Sequence, residues 1–526
     1  MELRTTGAGE PASSGPQTVA VLDLGASAMR LVVAETREDG SLRVLEEVSR
    51  SVLLGNDTFS EGRIGVATMD AALKALEGFR RIMDSYAVTQ YRAVATSAIR
   101  EASNRDAFLD RVQQRTGITV EAVDGSEENR LTYVAVREAL RGHEALESGC
   151  ALLVEVGGGS ADISLLRDGE PAFSGTYALG ALRLRQSLAS WHGTHEQRMR
   201  LLHRHVHNLV DEIQREIPLA EAKHIIALGG DMRIAARRGQ VASEDTLVHT
   251  ISREALLAFG EQVAKQDLDA IMESESLTLA EAETLAPALL VYCELLRETP
   301  AARIIVPETS LRAGLLIDIV RSRAGHGIED FGKQVLASAR ALGDKYRYDA
   351  VHCAHVARLA TQLFDALQDE HGLKPRHRLL LEVAGLLHDI GNFVSLRAHH
   401  KHTQYLLASS EIFGLSQDDM GVVSNVARYH RRALPQKTHP PYVALDREER
   451  VAVNKLAALL RLANALDADH LQKVTAVRVV FEEGVVVLEI EGAGDMTIER
   501  LVAQSRTDLF TEAFGRRVAL REGTPR

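Results

Sequence analysis

Two segments of the chain repeat one arrangement of acidic and small residues that is suited to holding a phosphate. Residues 19–33 read VAVLDLGASAMRLVV, and residues 151–166 read ALLVEVGGGSADISLL. Each has an apolar strand, an acid, an apolar residue, a glycine, small residues and a second apolar strand, and this order predicts a β-hairpin. The N–H groups of such a turn can cradle a phosphate, and the acid can hold a metal ion or a water. Two facing hairpins predict a phosphate-processing cleft, whereas two unrelated buried strands are the simpler alternative.

Three charged residues outside the hairpins suit the same chemistry. The segment ATSAIREA (95–102) places Arg100 after a short strand, and a planar guanidinium matches the geometry of phosphate oxygens. The segment DGSEENRL (124–131) places Glu127 and Glu128 where a strand gives way to a helix. A carboxylate held there can act as the general base for a water that attacks phosphorus. The alternatives are a surface ion pair for the arginine and a favourable interaction with the helix dipole for the glutamates.

Two further glycine turns fit around the hairpins. They are GALRL (180–184) and LGGD (228–231), and each can close over a ligand because glycine leaves the backbone accessible. Taken singly, each is equally well explained as an ordinary turn.

The composition excludes several classes of protein. With 526 residues, 45% of them hydrophobic and 25% charged, the chain is typical of a soluble globular protein of about three or four domains. No apolar run reaches the roughly 18–20 residues that span a bilayer, so no membrane partner is expected. Residues 1–16 are polar and rich in Gly, Ser and Pro, which predicts a disordered tail. The net charge of −12 argues against nucleic-acid binding but allows a polyanionic substrate.

Cysteine usage indicates a cytoplasmic location. Three scattered thiols form neither a disulfide framework nor a zinc ribbon: Cys150, Cys293 and Cys353.

The order of predicted elements divides the rest of the chain into four segments. Residues 17–145 and 146–320 alternate strands and helices, which predicts two α/β halves with helices on both faces of a mixed sheet. Residues 326–472 show apolar residues at helical spacing without an evident strand, which predicts an all-α domain. Residues 473–526 show two strands around a glycine turn, a helix and a last strand, which predicts a small α+β domain.

The boundaries of the elements follow from the same patterns. Strands are predicted in the two halves at 18–23, 29–36, 42–54, 91–95, 119–123, 151–156, 161–167, 225–228 and 303–306. Helices are predicted there at 66–86, 104–115, 127–141, 195–216, 252–265 and 281–298. The all-α domain has predicted helices at 328–341, 349–369, 375–390, 399–411, 415–431 and 447–468, and the α+β domain has one at 497–513.

The ordered set of motifs in residues 17–318 resembles the exopolyphosphatase / guanosine pentaphosphate phosphatase family. These motifs are DLGASAMR, ATSAIREA, DGSEENRL, VEVGGGSADI, ALGALRL and LGGD. The family belongs to the actin–sugar kinase–Hsp70 superfamily, so the resemblance implies two ribonuclease-H-like, actin-like halves. It also implies hydrolysis of the terminal phosphoanhydride bond of inorganic polyphosphate with release of orthophosphate, and a homodimer.

The resemblance also implies roles for individual residues. Glu128 matches the catalytic base, and Arg100 matches the arginine that binds the reacting phosphate. Glu155 and Asp162 match the two acids that hold a divalent cation, Mg²⁺ or Mn²⁺. The candidate substrate-binding residues lie in the hairpin and glycine turns: Gly25, Ser27, Arg30, Gly157, Gly158, Gly159, Ser160, Gly229 and Gly230.

The chain departs from the family pattern at four places. The family usually has Asp at position 155 and Glu at position 162, and here the two are exchanged. The usual G-S-N-S, S-G-T and L-R-E-G are G-A-S-A at 25–28, G-G-D at 229–231 and L-R-A-G at 311–314. Since metal geometry is sensitive to a single methylene, an altered metal or substrate preference or a reduced activity is expected.

Histidines and an acid in the all-α segment form a second candidate site. His355 lies on the first long helix, and His388 and Asp389 lie in GLLHDIGN; His402 and His430 follow on later helices. Histidine with carboxylate ligands suits a divalent ion such as Mn, Fe, Mg or Zn, and a helical bundle can gather them from several helices. Buried structural histidines are the alternative.

An upstream His followed by an adjacent His-Asp pair resembles the HD-type metal-phosphohydrolase domain. The last acid of that set would fall at Asn464, and Asp467, one turn further along, is the substitute. The resemblance therefore implies a second divalent metal held by four residues: His355, His388, Asp389 and Asp467.

Three alternatives to an exopolyphosphatase remain open. The same cleft can cleave guanosine pentaphosphate to the tetraphosphate. The HD-type site can be the working enzyme, as a metal-dependent nucleotide phosphohydrolase. The altered loops can instead leave a non-catalytic protein that senses polyphosphate or a nucleotide.

Overall fold

Contacts between residues divide the chain into two compact units. A computed structural model describes residues 2–3, 17–37, 41–187, 192–238, 247–323, 331–431, 433–492 and 495–522. Unit 1 is Met1–Gly327 and unit 2 is Ile328–Arg526. Unit 1 thus joins the two predicted α/β halves, and unit 2 joins the predicted all-α and α+β domains.

The first half of unit 1 is built on a mixed sheet. Its strands are β1 (Glu2–Leu3), β2 (Gln17–Leu24), β3 (Ala28–Thr36), β4 (Leu42–Ser51), β5 (Gln90–Ala95) and β6 (Glu121–Ala122). They lie in the order β1-β4-β3-β2-β5-β6. The strands β2, β3 and β4 are antiparallel neighbours, whereas β5 is parallel to β2 and β6 is parallel to β5.

The second half repeats this topology. Its strands are β7 (Cys150–Val156), β8 (Ala161–Arg167), β9 (Glu170–Tyr177), β10 (His224–Leu228), β11 (Val248–Ser252) and β12 (Arg303–Pro307). They lie in the order β11-β12-β10-β7-β8-β9. Again three antiparallel strands are followed by two parallel ones, and β11 adds an antiparallel edge. The predicted α/β class with actin-like sheets is confirmed.

Helices cover both faces of the first sheet. The helices of unit 1 are α1 (Leu54–Glu61), α2 (Val66–Ser85), α3 (Ser97–Arg100), α4 (Arg105–Thr116), α5 (Gly125–Ala139), α6 (Glu144–Glu147), α7 (Ala181–Ser187), α8 (His195–Glu216), α9 (Gly230–Arg238), α10 (Arg253–Lys265), α11 (Leu268–Glu275), α12 (Leu279–Arg297) and α13 (Leu311–Arg323). In β2, Leu22 and Leu24 pack in one core with α2 and α4, whereas Val19 and Val21 pack in another with α5 and α13. This alternation follows from the two-residue period of a strand.

The helix α13 crosses the boundary that the sequence predicts between the halves. The sequence places residues 146–320 in the second half, yet Leu315 and Ile319 of α13 pack against Val19 and Val21 of β2. The last helix of the second half therefore completes the core of the first.

The helix α5 lies between the two sheets. Its Leu131 and Ala135 belong to the core beside β2, while Asn129 and Thr132 bond to side chains of the second sheet. The helix that begins at DGSEENRL therefore contacts both halves.

Unit 2 is a helical bundle with a small sheet. Its helices are α14 (Gly332–Lys345), α15 (Ala350–Ala366), α16 (Gln368–His371), α17 (Pro375–Leu387), α18 (His399–Ala408), α19 (Gln417–Arg428), α20 (Pro440–Val443), α21 (Arg447–Ala465), α22 (Thr497–Gln504) and α23 (Asp508–Phe514). The strands β13 (Val474–Glu482), β14 (Val485–Gly492) and β15 (Arg517–Glu522) form the sheet. One hydrophobic core contains Leu456 of the bundle together with Leu488 and Phe510 of the C-terminal segment. The predicted α+β domain thus shares a core with the bundle and is not separate from it.

Several elements differ from the sequence-based expectation. The strand predicted to reach residue 54 ends at Ser51, and the predicted helix 497–513 is two helices. The strand β9 (EPAFSGTY) was not expected, because its Pro and Gly interrupt the alternation of apolar and polar residues. Pairing with the neighbouring strand β8 nevertheless keeps the segment extended. Most of the predicted tail, residues 1 and 4–16, and residues 328–330 of the first predicted helix of unit 2 lie outside the described residues. None of the described helices has the length and apolar character needed to cross a membrane.

Two helical glycines should respond oppositely to substitution by alanine. A Cβ at Gly314 of α13 would overlap the carbonyl group of Leu131, whereas one at Gly78 of α2 would meet no atom within 4 Å. We expect Gly314→Ala to lower the free energy of unfolding by about 1–3 kcal/mol through overpacking. Gly78→Ala should raise it by roughly 0.5–1 kcal/mol, because alanine is the better helix former.

Urea unfolding of the full chain, followed by circular dichroism, measures both changes. Equal effects of the two substitutions would contradict the close packing of α13 on α5.

Candidate functional site

The turns of the two predicted hairpins have the same backbone bond and touch each other. The N–H of Gly25 donates to the carbonyl of Ala28 at 3.1 Å, and the N–H of Gly157 donates to that of Ser160 at 2.9 Å. A Cβ added at Gly158 would lie 2.9 Å from the Cβ of Ala26. A larger residue at 158 would therefore push the two turns apart.

The GALRL turn supports the second hairpin turn. The N–H groups of Ala181 and Leu182, at the start of α7, each donate at 2.9 Å to the carbonyls of Gly157 and Gly158. A Cβ added at Gly180 would overlap the backbone of the same turn. GALRL is thus packed against the turn as a support, and its N–H groups are already used.

The structure separates the roles of the two glutamates at the start of α5. Asp124 caps the helix by accepting from the N–H of Glu127 at 3.0 Å. The side chain of Glu127 binds Arg92 and the fully buried Arg130, at 2.9 and 2.6 Å. The side chain of Glu128 instead pairs with Arg100.

Glu128 and Arg100 form a buried ion pair at the meeting point of the two halves. Arg100 also donates to the carbonyl of Val123 at 2.7 Å, which holds its guanidinium beside the helix start. Burial raises the pKa of Glu128 to about 7; Arg100 opposes this effect, and the nearby Glu155 and Asp23 add to it. A carboxyl group with a pKa near neutrality is well matched to general-base chemistry.

Two acids, one on β7 and one on β8, face each other and form no ion pair within the described residues. Glu155 and Asp162 are directly opposite in the antiparallel register; Asp162 is buried and Glu155 is half-buried. Thr132 donates to Glu155 at 3.0 Å, and Thr176 donates to Asp162 at 2.8 Å. Among the described residues, neither acid has an ion-pair partner, although Arg100 and other arginines lie nearby.

The pKa values of the two acids reflect this lack of an ion-pair partner. Burial raises the pKa of Glu155, and burial together with the charge of Glu128 raises the pKa of Asp162 well above its usual value. Hard carboxylate oxygens with this need for positive charge fit a divalent ion such as Mg²⁺.

The equivalent positions of the first hairpin are already neutralised. Asp23 stands where Glu155 stands, and its register partner is Arg30, at 3.8 Å between charged atoms. A second arginine, Arg312 of the LRAG segment, lies 3.3 Å from Asp23 across 289 positions of sequence. Arg30 thus pairs with Asp23 within the first hairpin, and its role in substrate binding stays a prediction. The pairing of Arg312 with Asp23 was not expected from the sequence.

The LGGD turn begins helix α9. Gly229 has a φ of +105°, a conformation that favours glycine, and Gly230 is the first helical residue. Asp231 accepts a hydrogen bond from Thr284 at 3.2 Å, and burial raises its pKa to about 6. The acid that replaces the family's threonine is thus engaged by α12.

Unit 2 gathers histidines around one carboxylate. The Oδ1 atom of Asp389 lies 3.7, 3.3 and 3.5 Å from the Nε2 atoms of His388, His399 and His430. The Nε2 atoms of His399 and His430 lie 3.2 Å apart. On another side of Asp389, His352 and His470 form a second group of three with it. Both sets of three residues have the proximity that a metal ion requires.

The other ring nitrogens of these histidines are bound to oxygen atoms. Nδ1 of His388, His399 and His430 lies 2.7, 3.2 and 2.6 Å from a backbone carbonyl, and Nδ1 of His352 lies 2.7 Å from Asp467. An N–H that donates at Nδ1 leaves a lone pair at Nε2, the arrangement of a metal-binding histidine. Burial lowers the pKa of His388 and lowers that of His430 further, which favours the neutral rings.

Two of the predicted metal ligands in unit 2 have other places in the structure. His355 lies outside both groups, and its Nδ1 atom faces Arg358 at 3.2 Å. His352, one turn earlier on α15, takes its place because that face packs against the bundle. Asp467 lies outside both groups and is bound to His352 and Gln472. His388 and Asp389 lie in the cluster as predicted.

This chain is similar to curated relatives in sequence and to a solved structure in fold. Two curated relatives are named guanosine-5'-triphosphate,3'-diphosphate pyrophosphatase, from Vibrio parahaemolyticus and Vibrio vulnificus. They are 24% and 23% identical, over 79% and 84% of this chain and 81% and 85% of theirs. A crystal structure of an exopolyphosphatase from Cytophaga hutchinsonii is similar with a TM-score of 0.52 and 24% identity, over 58% of this chain and 98% of that one. This last similarity shows the shared fold.

Family models cover most of both units. Residues 32–323 match the Ppx/GppA phosphatase family, and residues 336–497 match the family's domain III. With more than half of its length matched by the first model alone, the chain belongs to the Ppx/GppA phosphatase family and is a phosphohydrolase.

Proposed function

We propose that the cleft of unit 1 hydrolyses the terminal phosphoanhydride bond of inorganic polyphosphate and releases orthophosphate. One observation carries this proposal: Glu128, a buried carboxyl group with a raised pKa, pairs with Arg100. A general base and a guanidinium are thus side by side, so that an anionic substrate bound there would meet both groups.

Glu128 is the general base in this proposal. It accepts the proton of a water as the oxygen attacks the terminal phosphorus, and the bond to the bridging oxygen breaks. Arg100 turns from the carboxylate to the phosphate oxygens, and its bond to the carbonyl of Val123 limits how far it moves. The N–H groups of Gly158 and Gly159 have no acceptor within the described residues, so they are free to donate to the same phosphate.

Glu155 and Asp162 are the residues that would hold a divalent ion. Their fit rests on their facing register, their burial and their lack of an ion-pair partner in the described part of the chain. When bound, Mg²⁺ or Mn²⁺ would neutralise charge on the phosphate oxygens. Thr132 and Thr176 orient the two carboxylates from either side.

Guanosine pentaphosphate is the second candidate substrate of the cleft. The observation in its favour is the name of the curated relatives, guanosine-5'-triphosphate,3'-diphosphate pyrophosphatase. Both substrates end in a phosphoanhydride, so the same base and arginine serve both. The ratio of kcat/KM for the two, measured under one set of conditions, ranks them.

A second candidate function belongs to unit 2. The histidines around Asp389 have their Nδ1 atoms fixed and their Nε2 atoms turned towards one another. This donor set fits a divalent transition metal such as Mn, Fe or Zn. Together with the HD-type resemblance, it supports a nucleotide phosphohydrolase activity in unit 2. We also propose a cytoplasmic location, which the three free cysteines support. The family resemblance supports a homodimer.

The two adjacent glutamates of α5 give a matched test of the catalytic base. We expect Glu128→Gln to reduce phosphate release by about 10²–10⁴-fold, because the water loses its base. Glu127→Gln should leave kcat close to that of the wild type and instead lower the free energy of unfolding by about 1–3 kcal/mol, since it weakens the network with Arg130. Orthophosphate release from long-chain polyphosphate with Mg²⁺ measures the first effect, and urea unfolding measures the second. A Glu128→Gln enzyme with normal kcat would refute the assignment.

The raised pKa of Glu128 sets the pH dependence. Only the ionised carboxylate acts as a base, so kcat/KM should rise with pH through about 7 and then level off. Arg100 favours ionisation, so Arg100→Gln should move the inflection to higher pH besides lowering the rate. The control is Glu127→Gln, whose inflection should match that of the wild type. A pH-independent wild-type rate between about pH 5.5 and 9 would contradict this role.

Metal content tests unit 2 separately from unit 1. We expect His388→Ala and His430→Ala to lose bound Mn, Fe or Zn, as measured by plasma mass spectrometry of the purified full chain. His355→Ala is the matched control on the same bundle and should retain the metal. Nucleotide hydrolysis that is lost in His388→Ala and kept in Glu128→Gln would assign that activity to unit 2. Equal metal content in all the variants would remove the proposed centre.

A further inference from the structure

A cavity of about 350 Å³ lies between helix α2 and the end of strand β4, within the first half of unit 1. Three cationic side chains line it: Arg50, Lys74 and Arg81. Phe79 and Ile82 form apolar parts of its wall. The volume is within the range of small-molecule sites. None of these residues belongs to the cleft that contains Glu128.

The local structure explains why the cations meet. Lys74, Gly78 and Arg81 are separated by four and three positions, which places them on one face of α2. Arg50 is directly opposite Met29 in the register of β4 and β3. Because opposite residues share a face of the sheet and Met29 is buried beneath α2, Arg50 points to the side that α2 covers.

The three cations lack compensation by acids. Within the described residues, none of Arg50, Lys74 and Arg81 lies within ion-pair distance of a carboxylate; the two arginines contact only backbone carbonyls. Neighbouring acids are engaged elsewhere, since Asp84 pairs with Arg80 at 2.8 Å and Glu77 pairs with Arg115 at 2.5 Å. Although the chain has a net charge of −12, this local excess of positive charge attracts anions.

Gly78 keeps the floor of the cavity open. A Cβ at this position would meet no atom within 4 Å, so packing does not demand glycine. Glycine is a poor helix former, and its presence in the middle of α2 leaves the space between Lys74 and Arg81 unfilled.

We propose that this cavity binds a small phosphorylated anion, at a site separate from the cleft. Arg50, Lys74 and Arg81 contact an oligophosphate chain, and Phe79 and Ile82 offer apolar surface to any organic group attached to it. Both a short inorganic polyphosphate and a nucleoside triphosphate present this chain. The site does not depend on the substrate proposed for the cleft.

Hydrogen exchange with mass spectrometry tests the proposal on the full chain. The protein carries Glu128→Gln and His388→Ala, so that neither of the two proposed active sites consumes the probe, and the probes are tripolyphosphate and, separately, ATP. We expect either probe to protect amides in residues 66–85 and 42–51, and sodium sulfate at equal ionic strength to give no protection. Protection by tripolyphosphate alone assigns the site to inorganic chains, and protection by ATP extends it to nucleotides.

Matched variants distinguish the cavity from general charge effects. Lys74→Gln combined with Arg81→Gln should weaken binding at this site by about tenfold, because two charge contacts are lost. Gly78→Leu keeps all three charges and should also abolish the protection by filling the floor. Arg80→Gln lies on the same helix outside the lining and should behave like the parent. Absence of protection with both probes, or unchanged protection in both test variants, would overturn the proposal.

Discussion

The structure of unit 1 depends on one helix that must pack against two sheets at once. Helix α5 places Leu131 in the core beside β2 and directs Thr132 and Asn129 to the second sheet. Its N-terminus is fixed by the cap at Asp124, so the orientation of the helix also fixes Glu128. Burial of that carboxyl group follows from the position of the helix. The carboxyl group that we propose as the general base is therefore positioned by the same contacts that join the halves.

The two halves share a topology but differ in the charge balance of their hairpins. In the first, Asp23 is compensated by Arg30 and Arg312. In the second, Glu155 faces another carboxylate at the equivalent register. The acid of the first hairpin is thus compensated by two arginines, whereas the two acids of the second have no ion-pair partner among the described residues. The repeated fold thus presents two hairpins with different charge balance, and we propose an ion only for the second.

The sequence predicts features that depend on local pattern. The strand predicted at 18–23 is Gln17–Leu24, because apolar runs and glycine turns act over a few residues. Contacts across long separations are not predictable in this way. The pair of Arg312 and Asp23 spans 289 positions, and only the return of α13 to the first half brings them together. The choice between His352 and His355 likewise depends on which side of α15 packs inwards, a matter of tertiary contacts.

The return of α13 to the first half also constrains when the chain can fold during synthesis. Until residue 323 has left the ribosome, Val19 and Val21 lack the apolar partners Leu315 and Ile319. At ordinary translation rates, the roughly 180 residues from the end of the first half to the end of α13 take about 10–40 s to emerge. Throughout that delay one face of the nascent first sheet is only partly covered. The core of the first half can therefore be completed only after the second half and α13 have been synthesised.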